Sequence, residues 1–279
     1  MNLSLETIHT RLDGHVLYAT FSAPPINLIG PEVVRDLVTL IDEVYAPTPV
    51  RVVVFDSADP DFLFPHVDVT KVAEYTAEAA KAGGPGDSSL GMLFHKLTQA
   101  PVVTITKLRG RARAAGSEFA LACDMRFASL EHAIISQPEV GLGVAPGAGG
   151  IQHLTRLLGR SRALEVILSA EDVNADLAER YGWINRAIPD AELDDFVDRL
   201  AQRIAGFPPE ALAAAKAAVN AISLPAPAEV RGDAKLFQHL IRTDEVTRRA
   251  TLLFERGFQT RSPLELELGD ALATLSPAD

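Results

Sequence analysis

One cysteine, Cys123, stands in a chain of 279 residues, which excludes an internal disulfide and any site built from several thiolates. A reducing, cytoplasmic setting fits that usage. Basic residues are also few: 26 Lys and Arg oppose 37 Asp and Glu, a formal charge of −11. A protein that works by neutralising a phosphate backbone needs the opposite balance, so DNA and RNA are poor partners. A local cluster such as Lys107, Arg109, Arg111 and Arg113 still leaves room for a small anion. No run approaches the roughly 18 uninterrupted apolar residues of a membrane-spanning helix. The opening Met1-Asn2-Leu3-Ser4-Leu5-Glu6 also lacks the basic region and apolar run of a secretory signal, so no membrane partner is expected. The seven histidines show no H-E-x-x-H or comparable ligand spacing, and no metal is expected. The glycine-rich run Gly141–Gly150 fits G-x-G-x-x-G in no register, which removes support for a dinucleotide.

What is present is a globular composition, 47% hydrophobic and 23% charged, enough for one large domain or two small ones around a real core. Asp13-Gly14 between two partly alternating runs, Ile8–Leu12 and His15–Phe21, reads as a hairpin. Pro31 opens a helix with Val33, Leu37, Leu40, Ile41 and Val44 on one side. The runs Arg51-Val52-Val53-Val54-Phe55 and Pro101-Val102-Val103-Thr104-Ile105-Thr106 read as buried strands. Strands alternating with helices give an α/β layout with a sheet covered on both faces. Residues 70–100 read as two helices joined through Gly83-Gly84-Pro85-Gly86, a mobile loop that could flank a site, with Asp87 or Ser88 capping the second. Beyond about residue 190 the chain is helical. Its apolar stripes exceed what short helices need to pack on one sheet, which points to a face for self-association.

The informative window is Gly110–Gly150. A stretch of small residues, Ala114-Ala115-Gly116-Ser117, leads from a strand into a helix and presents free backbone N–H groups at the positive end of the helix dipole, a natural oxyanion or anion pocket. Glu118 lies in that first helical turn. About twenty residues on, Glu139 follows Gln137-Pro138 in a rigid Pro/Gly frame. Taken alone, a glutamate in a first helical turn is more often a dipole partner than a catalyst. Two of them beside one anion pocket can serve as general acid and base, and a shared apolar cleft would push their pKa values apart. Ser117 has Ala115 and Phe119 where a G-x-S-x-G elbow needs glycines, so it reads as a packing residue. Asp124, at a helix end, reads as structural.

These residues belong to an ordered series that resembles the crotonase, or enoyl-CoA hydratase/isomerase, superfamily. Ala23-Pro24-Pro25-Ile26-Asn27 is similar to its Pro-x-x-Asn-Ala turn and Val52-Val53-Val54-Phe55 to its Val-Val-Leu-Thr-Gly strand. Phe64-Pro65-His66-Val67-Asp68-Val69 stands in the place of Ser-Ala-Gly-Ala-Asp-Leu. Gly110 to Asp124 is similar to Gly-Tyr-Ala-x-Gly-Gly-Gly-x-Glu-Leu-Ala-Leu-Ala-Cys-Asp. Gln137-Pro138-Glu139, Gly143, Pro146 to Gly150 and Gln152 match the next block. Ala178 to Asn185 is similar to Ala-x-x-x-Gly-Leu-Val-Asn.

The resemblance implies a spiral of ββα turns over residues 1–200 carrying an acyl-CoA site. Residues 201–279 would be a helical segment that assembles trimers, often two stacked. Its thioester carbonyl would sit between the backbone N–H groups of Val67 and Ala115, with Glu118 and Glu139 as the hydratase pair. His66, Asp68, Gly116, Pro138 and Gly147 are candidate substrate or CoA contacts. No cofactor beyond the CoA of the substrate is implied. Hydration of a 2-enoyl-CoA is the leading reading. An isomerase, an acyl-CoA or β-diketone hydrolase, and a non-catalytic homologue with an altered oxyanion loop are the alternatives.

Two departures stand out. Pro65-His66 replaces Ala-Gly before the first donor, and Ala114-Ala115 replaces Gly-Gly at the second. Ala115 is strained only if its φ is positive, and His66 is either a site residue or a bystander in solvent. The acyl pocket is expected between residues 70–97 and the C-terminal helices. There Phe254 and Phe258 either close the CoA site or fill the core. CoA phosphates would also require a basic rim at the pocket mouth.

Overall fold

The computed structural model describes residues 4–83 and 89–275. The chain opens with the expected hairpin, β1 (Ile8–Asp13) and β2 (Val16–Phe21), antiparallel around Gly14 with Asp13 opposite Val16. Helix α1 (Pro31–Tyr45) begins on Pro31 at a position that needs no N–H, and buries Val33, Leu37, Leu40, Ile41 and Val44. Then come β3 (Val52–Ser57), β4 (Phe62–Phe64), α2 (Val72–Gly83), α3 (Leu90–Thr98), β5 (Val103–Leu108), β6 (Arg111–Arg113) and α4 (Ala115–Ala122). They are followed by β7 (Met125–Ser129), β8 (Ile134–Ser136), α5 (Glu139–Leu142), α6 (Gly150–Leu158) and α7 (Arg160–Ser169). Next are β9 (Val173–Asn174), α8 (Ala175–Tyr181), β10 (Arg186–Ile188) and α9 (Asp190–Ala205). Five helices close the chain: α10 (Pro209–Ser223), α11 (Pro227–Leu240), α12 (Asp244–Glu255), α13 (Pro263–Leu266) and α14 (Leu268–Ala273). Asp87 and Ser88 lie outside the described residues; the N-cap of α3 is Ser89, whose hydroxyl accepts from the Met92 N–H.

Two sheets share the work. The larger has the order β1-β2-β3-β5-β7-β10 and the smaller β4-β6-β8-β9. Successive strand pairs β3/β4, β5/β6 and β7/β8 each send one strand to either sheet before a helix returns, which is the expected spiral. Apart from the β1/β2 and β8/β9 pairs, the strands run parallel. Parallel strands covered on both faces read as continuous apolar runs, as Val52 to Phe55 do. Alternate residues of that run go to opposite faces. Val53 and Phe55 join Phe21, Leu37 and Phe119 in the main core, whereas Val52 and Val54 meet Leu193, Val197 and Ala201 of α9. Phe119 is the hub of the main core, its ring 5.4, 5.2, 5.5 and 5.8 Å from those of Phe21, Phe55, Phe64 and Phe94.

Residue 200 falls inside α9, and α9 is the lid of the larger sheet, so the core of the spiral runs on to Ala205. The segment beyond does not stand apart. Leu253, Phe258, Leu264, Leu268 and Leu272 form a third cluster against Val69 and Leu142. Helix α10 differs: it buries none of its residues and leaves Val219 and Ile222 largely exposed.

The basic cluster is spent on this architecture. Lys107 pairs with Asp56 and Asp194, and Arg109 with Asp190 and Asp194. Arg111 donates to the Leu266 carbonyl, and the fully buried Arg113 binds Asp172 and the carbonyls of Glu265 and Leu266. The room the sequence left here for a small anion is taken up, because the turn at Gly110 (φ 64°) between β5 and β6, which lie in different sheets, leaves Lys107 and Arg109 facing α9 and Arg111 and Arg113 facing the C-terminal segment. Asp124 is structural, as expected: its carboxylate accepts from Thr104 and pairs with Lys216.

Candidate active site

Ligands of parallel sheets gather beyond the carboxyl ends of the strands. In the smaller sheet β4, β6 and β8 run parallel side by side, and each exits into one piece of the site. After β4 come His66 and Val67, after β6 Ala114, Ala115 and Glu118, and after β8 Glu139. All of these line a cavity of about 460 Å³. Its walls are completed by α2 and α3 through Val72, Tyr75 and Leu90, and by α11 and α12 through Phe237, Ile241, Val246 and Ala250. This is where the acyl pocket was expected.

Glu118 is held from behind. Its Oε1 accepts the N–H groups of Ala148 (2.7 Å) and Gly150 (2.9 Å). Burial pushes its carboxyl up to about 7, and those two N–H groups restrain the rise. Glu139 has less support. Gln137 Nε2 donates to its Oε1 at 3.1 Å, while Oε2 is buried with no protein partner among the described residues. Burial first, and the Glu118 charge second, raise its pKa well above the ordinary carboxylate range. One cavity thus holds two carboxyl groups with different support, Glu118 the readier to ionise and Glu139 the more firmly protonated. Burial, reinforced by Asp68 and Glu118, likewise keeps the Tyr75 phenol neutral.

The N–H groups of Val67 and Ala115 make no hydrogen bond to a described residue. The Ala115 φ is not positive; the left-handed backbone falls one residue earlier, at Ala114 (φ 48°, ψ −125°). Any strain of replacing glycine therefore sits at Ala114 and not at the donor. Gly116 lets α4 approach the end of β4, because a Cβ there would lie 2.2 Å from the Phe64 carbonyl oxygen. Gly116 is thus a spacing residue and does not line the cavity. Pro138 is likewise outside the lining, at the N-terminus of α5, where its carbonyl accepts from Gly141 N–H. Asp68 is also outside the lining, and its Oδ1 accepts from Thr70 N and Oγ1, the polar closure of a turn. Gly147 does line the cavity, with space for a side chain closed by Phe237.

His66 is no bystander in solvent. It is 4% exposed, lines the cavity, and places Nδ1 2.8 Å from the Val67 carbonyl and Nε2 3.0 Å from Glu265 Oε1. Phe258 is a buried residue that stacks on His66 at 4.4 Å, and Phe254 lies half-exposed beside it; both line the cavity. The sequence reading missed Glu265 and Gln259. In Pro263-Leu264-Glu265-Leu266-Glu267 the acid occupies an ordinary polar position, and only tertiary packing reveals it as fully buried. No Lys or Arg lines the cavity among the described residues. Cations that adjoin lining residues in the chain include Lys71, with contacts of 3.9 Å to Glu32 and Asp68, Arg242, and Arg248 and Arg249, both paired with Glu245.

Residues 11–259 match the family model described as enoyl-CoA hydratase/isomerase. The short-chain-enoyl-CoA hydratase of Clostridium acetobutylicum is 30% identical over 220 residues, 78% of this chain and 82% of that one. The crotonyl-CoA hydratase of Syntrophomonas wolfei is 34% identical over 190 residues, 67% and 69% of the two chains. A crystal structure from Streptomyces avermitilis, named as that of a candidate enoyl-CoA hydratase, is 70% identical. It covers 99% of this chain and 100% of its own, with a TM-score of 0.98.

Proposed function

The chain belongs to the enoyl-CoA hydratase/isomerase family, and from that premise we propose that it adds water across the double bond of a 2-enoyl-CoA thioester. The observation that carries the reading is the pair Glu118 and Glu139, buried in one cavity with two unpaired backbone donors. The thioester carbonyl sits between the N–H groups of Val67 and Ala115, each such donor contributing roughly 3 kcal/mol to transition-state stabilisation. Glu118, anchored through Oε1, takes a proton from water with its other oxygen as the hydroxyl adds to the β-carbon. The electron pair of the double bond moves onto the thioester oxygen. Collapse of that enolate takes a proton at the α-carbon from Glu139. The apolar walls receive the acyl chain, and no cofactor is required beyond the CoA of the substrate.

Lys71, with its long ion pairs, is positioned beside the cavity to turn to a CoA phosphate. The exposed Val219 and Ile222 of α10 support assembly into a homotrimer or dimer of trimers, which sedimentation of the pure protein checks. The single buried thiol fits a cytoplasmic setting.

The test follows loss of the conjugated thioester absorbance with 2-enoyl-CoAs of several chain lengths. Turnover by the native protein and losses of roughly 100-fold or more in kcat for both Glu118→Gln and Glu139→Gln are expected. An isomerase of the same fold would depend on only one of the two. No turnover at any chain length would remove the hydratase reading.

A further inference from the structure

The oxyanion loop of this chain carries a histidine whose two ring nitrogens both face acceptors. Nδ1 lies 2.8 Å from the Val67 carbonyl oxygen, which can only accept. Nε2 lies 3.0 and 3.2 Å from the two oxygens of Glu265. Glu265 Oε1 already accepts the Gln259 N–H at 2.7 Å, and Gln259 Nε2 donates to the Val67 carbonyl. A neutral imidazole has one N–H and one lone pair. It would fit here only if Glu265, fully buried, carried the proton. An imidazolium beside a carboxylate satisfies every contact at once. The Phe258 ring stacked on His66 at 4.4 Å adds an aromatic face that favours a cation. Arg113 donates to the Glu265 backbone carbonyl and pairs its charge with Asp172, leaving the Glu265 carboxylate to His66. The remaining charged groups facing the cavity near His66 are Glu118 and Glu139.

We propose that His66 is a positioning residue of the oxyanion pocket: an imidazolium clamped by Glu265 that holds the Val67 carbonyl and sets a positive charge beside the thioester oxygen. Two ligatures, from His66 Nδ1 and Gln259 Nε2, hold the Val67 carbonyl on one side of its Cα, while the Ile29 N–H bond to the His66 carbonyl, 3.0 Å, holds the adjoining peptide that carries the Val67 N–H. A charge placed where the enolate oxygen develops acts more on the transition state than on the bound substrate. The C-terminal segment therefore tunes the oxyanion pocket through Glu265. This rests on the enoyl-thioester reading above.

The experiment has three readouts on the full-length protein and on Glu265→Gln, an isosteric change that keeps the acceptor for Gln259. Nitrogen NMR of the His66 ring at neutral pH is expected to show both nitrogens protonated in the native protein and one in the variant. The carbon shift of a saturated acyl-CoA labelled at its thioester carbonyl is expected to move toward its free value in the variant. The variant's kcat is expected to fall roughly tenfold to 100-fold, with KM changed less than about twofold. His66→Gln, which keeps a donor for the Val67 carbonyl without the charge, should recover part of the loss seen in His66→Ala. A neutral His66 ring in the native protein overturns the proposal, as does a Glu265→Gln protein whose kcat and carbonyl shift match the native values. Native protein with an imidazolium and a polarised carbonyl but no hydration of any enoyl-CoA overturns the hydratase reading alone.

Discussion

The two glutamates differ by what reaches them. Two backbone N–H groups converge on one oxygen of Glu118, whereas Glu139 leaves an oxygen unpartnered in the cavity. Base catalysis by Glu118 needs its ionised form, populated above its pKa of about 7. Measured across pH, kcat/KM should therefore rise roughly tenfold per unit below pH 7, level off near it, and fall again where Glu139 loses its proton. The same groups tie stability to pH. A carboxyl raised from 4.5 to about 7 on folding contributes stability that is complete below 4.5 and is lost as pH rises through 7. Glu118→Gln should flatten that part of a denaturation series. Glu118 and Glu139 were legible in sequence because each sits beside small residues and Gly or Pro that mark a strand exit. Asp68 stands in the same kind of position, and its contacts with Thr70 show the carboxylate closing a turn.

Among the elements, strand exits and helix starts decide the site. Helix α4 begins directly against the end of β4, and only a residue without a Cβ permits that spacing at Gly116. Gly116→Ala should cost roughly 1–3 kcal/mol or more in urea denaturation, since the clash is with backbone and not with a movable side-chain tip. It should also lower kcat by displacing Ala115 from Val67. Most elements were readable from apolar periodicity and turn chemistry, down to Pro31 opening α1 and Gly14 in the first turn. The short strands β4 and β6 were not, and β8 was readable only as a short strand without bounds ahead of Glu139. Three residues each give no measurable alternation, and β6 consists of Arg-Ala-Arg, in which Arg113 is buried and both guanidinium groups find partners distant in the chain. The smaller sheet that organises the site was thus visible only as an ordered set of family motifs.

For the whole molecule, the C-terminal segment acts as a wall of the cavity and a brace for the loop at His66 and Val67. The apolar stripes of α11 and α12 cover this chain's own cavity, where the sequence also placed a wall of the acyl pocket. The brace is anchored by Arg113, fully buried between Asp172 and the carbonyls of Glu265 and Leu266. Removing one partner of a buried ion pair leaves the other uncompensated. Arg113→Ala should therefore cost about 3–5 kcal/mol, and hydrogen exchange should rise first around residues 257–275. Such long-range dependence has no local signature, so the sequence could not announce it. It also has a consequence in time. His66 and Glu265 are 199 positions apart, and at roughly 5–20 residues per second a translating ribosome needs about 10–40 s to make the second after the first. Throughout that interval the growing polypeptide carries both glutamates and His66 without Glu265, so on the proposal above the loop at Val67 gains its counter-charge only after Glu265 has been made.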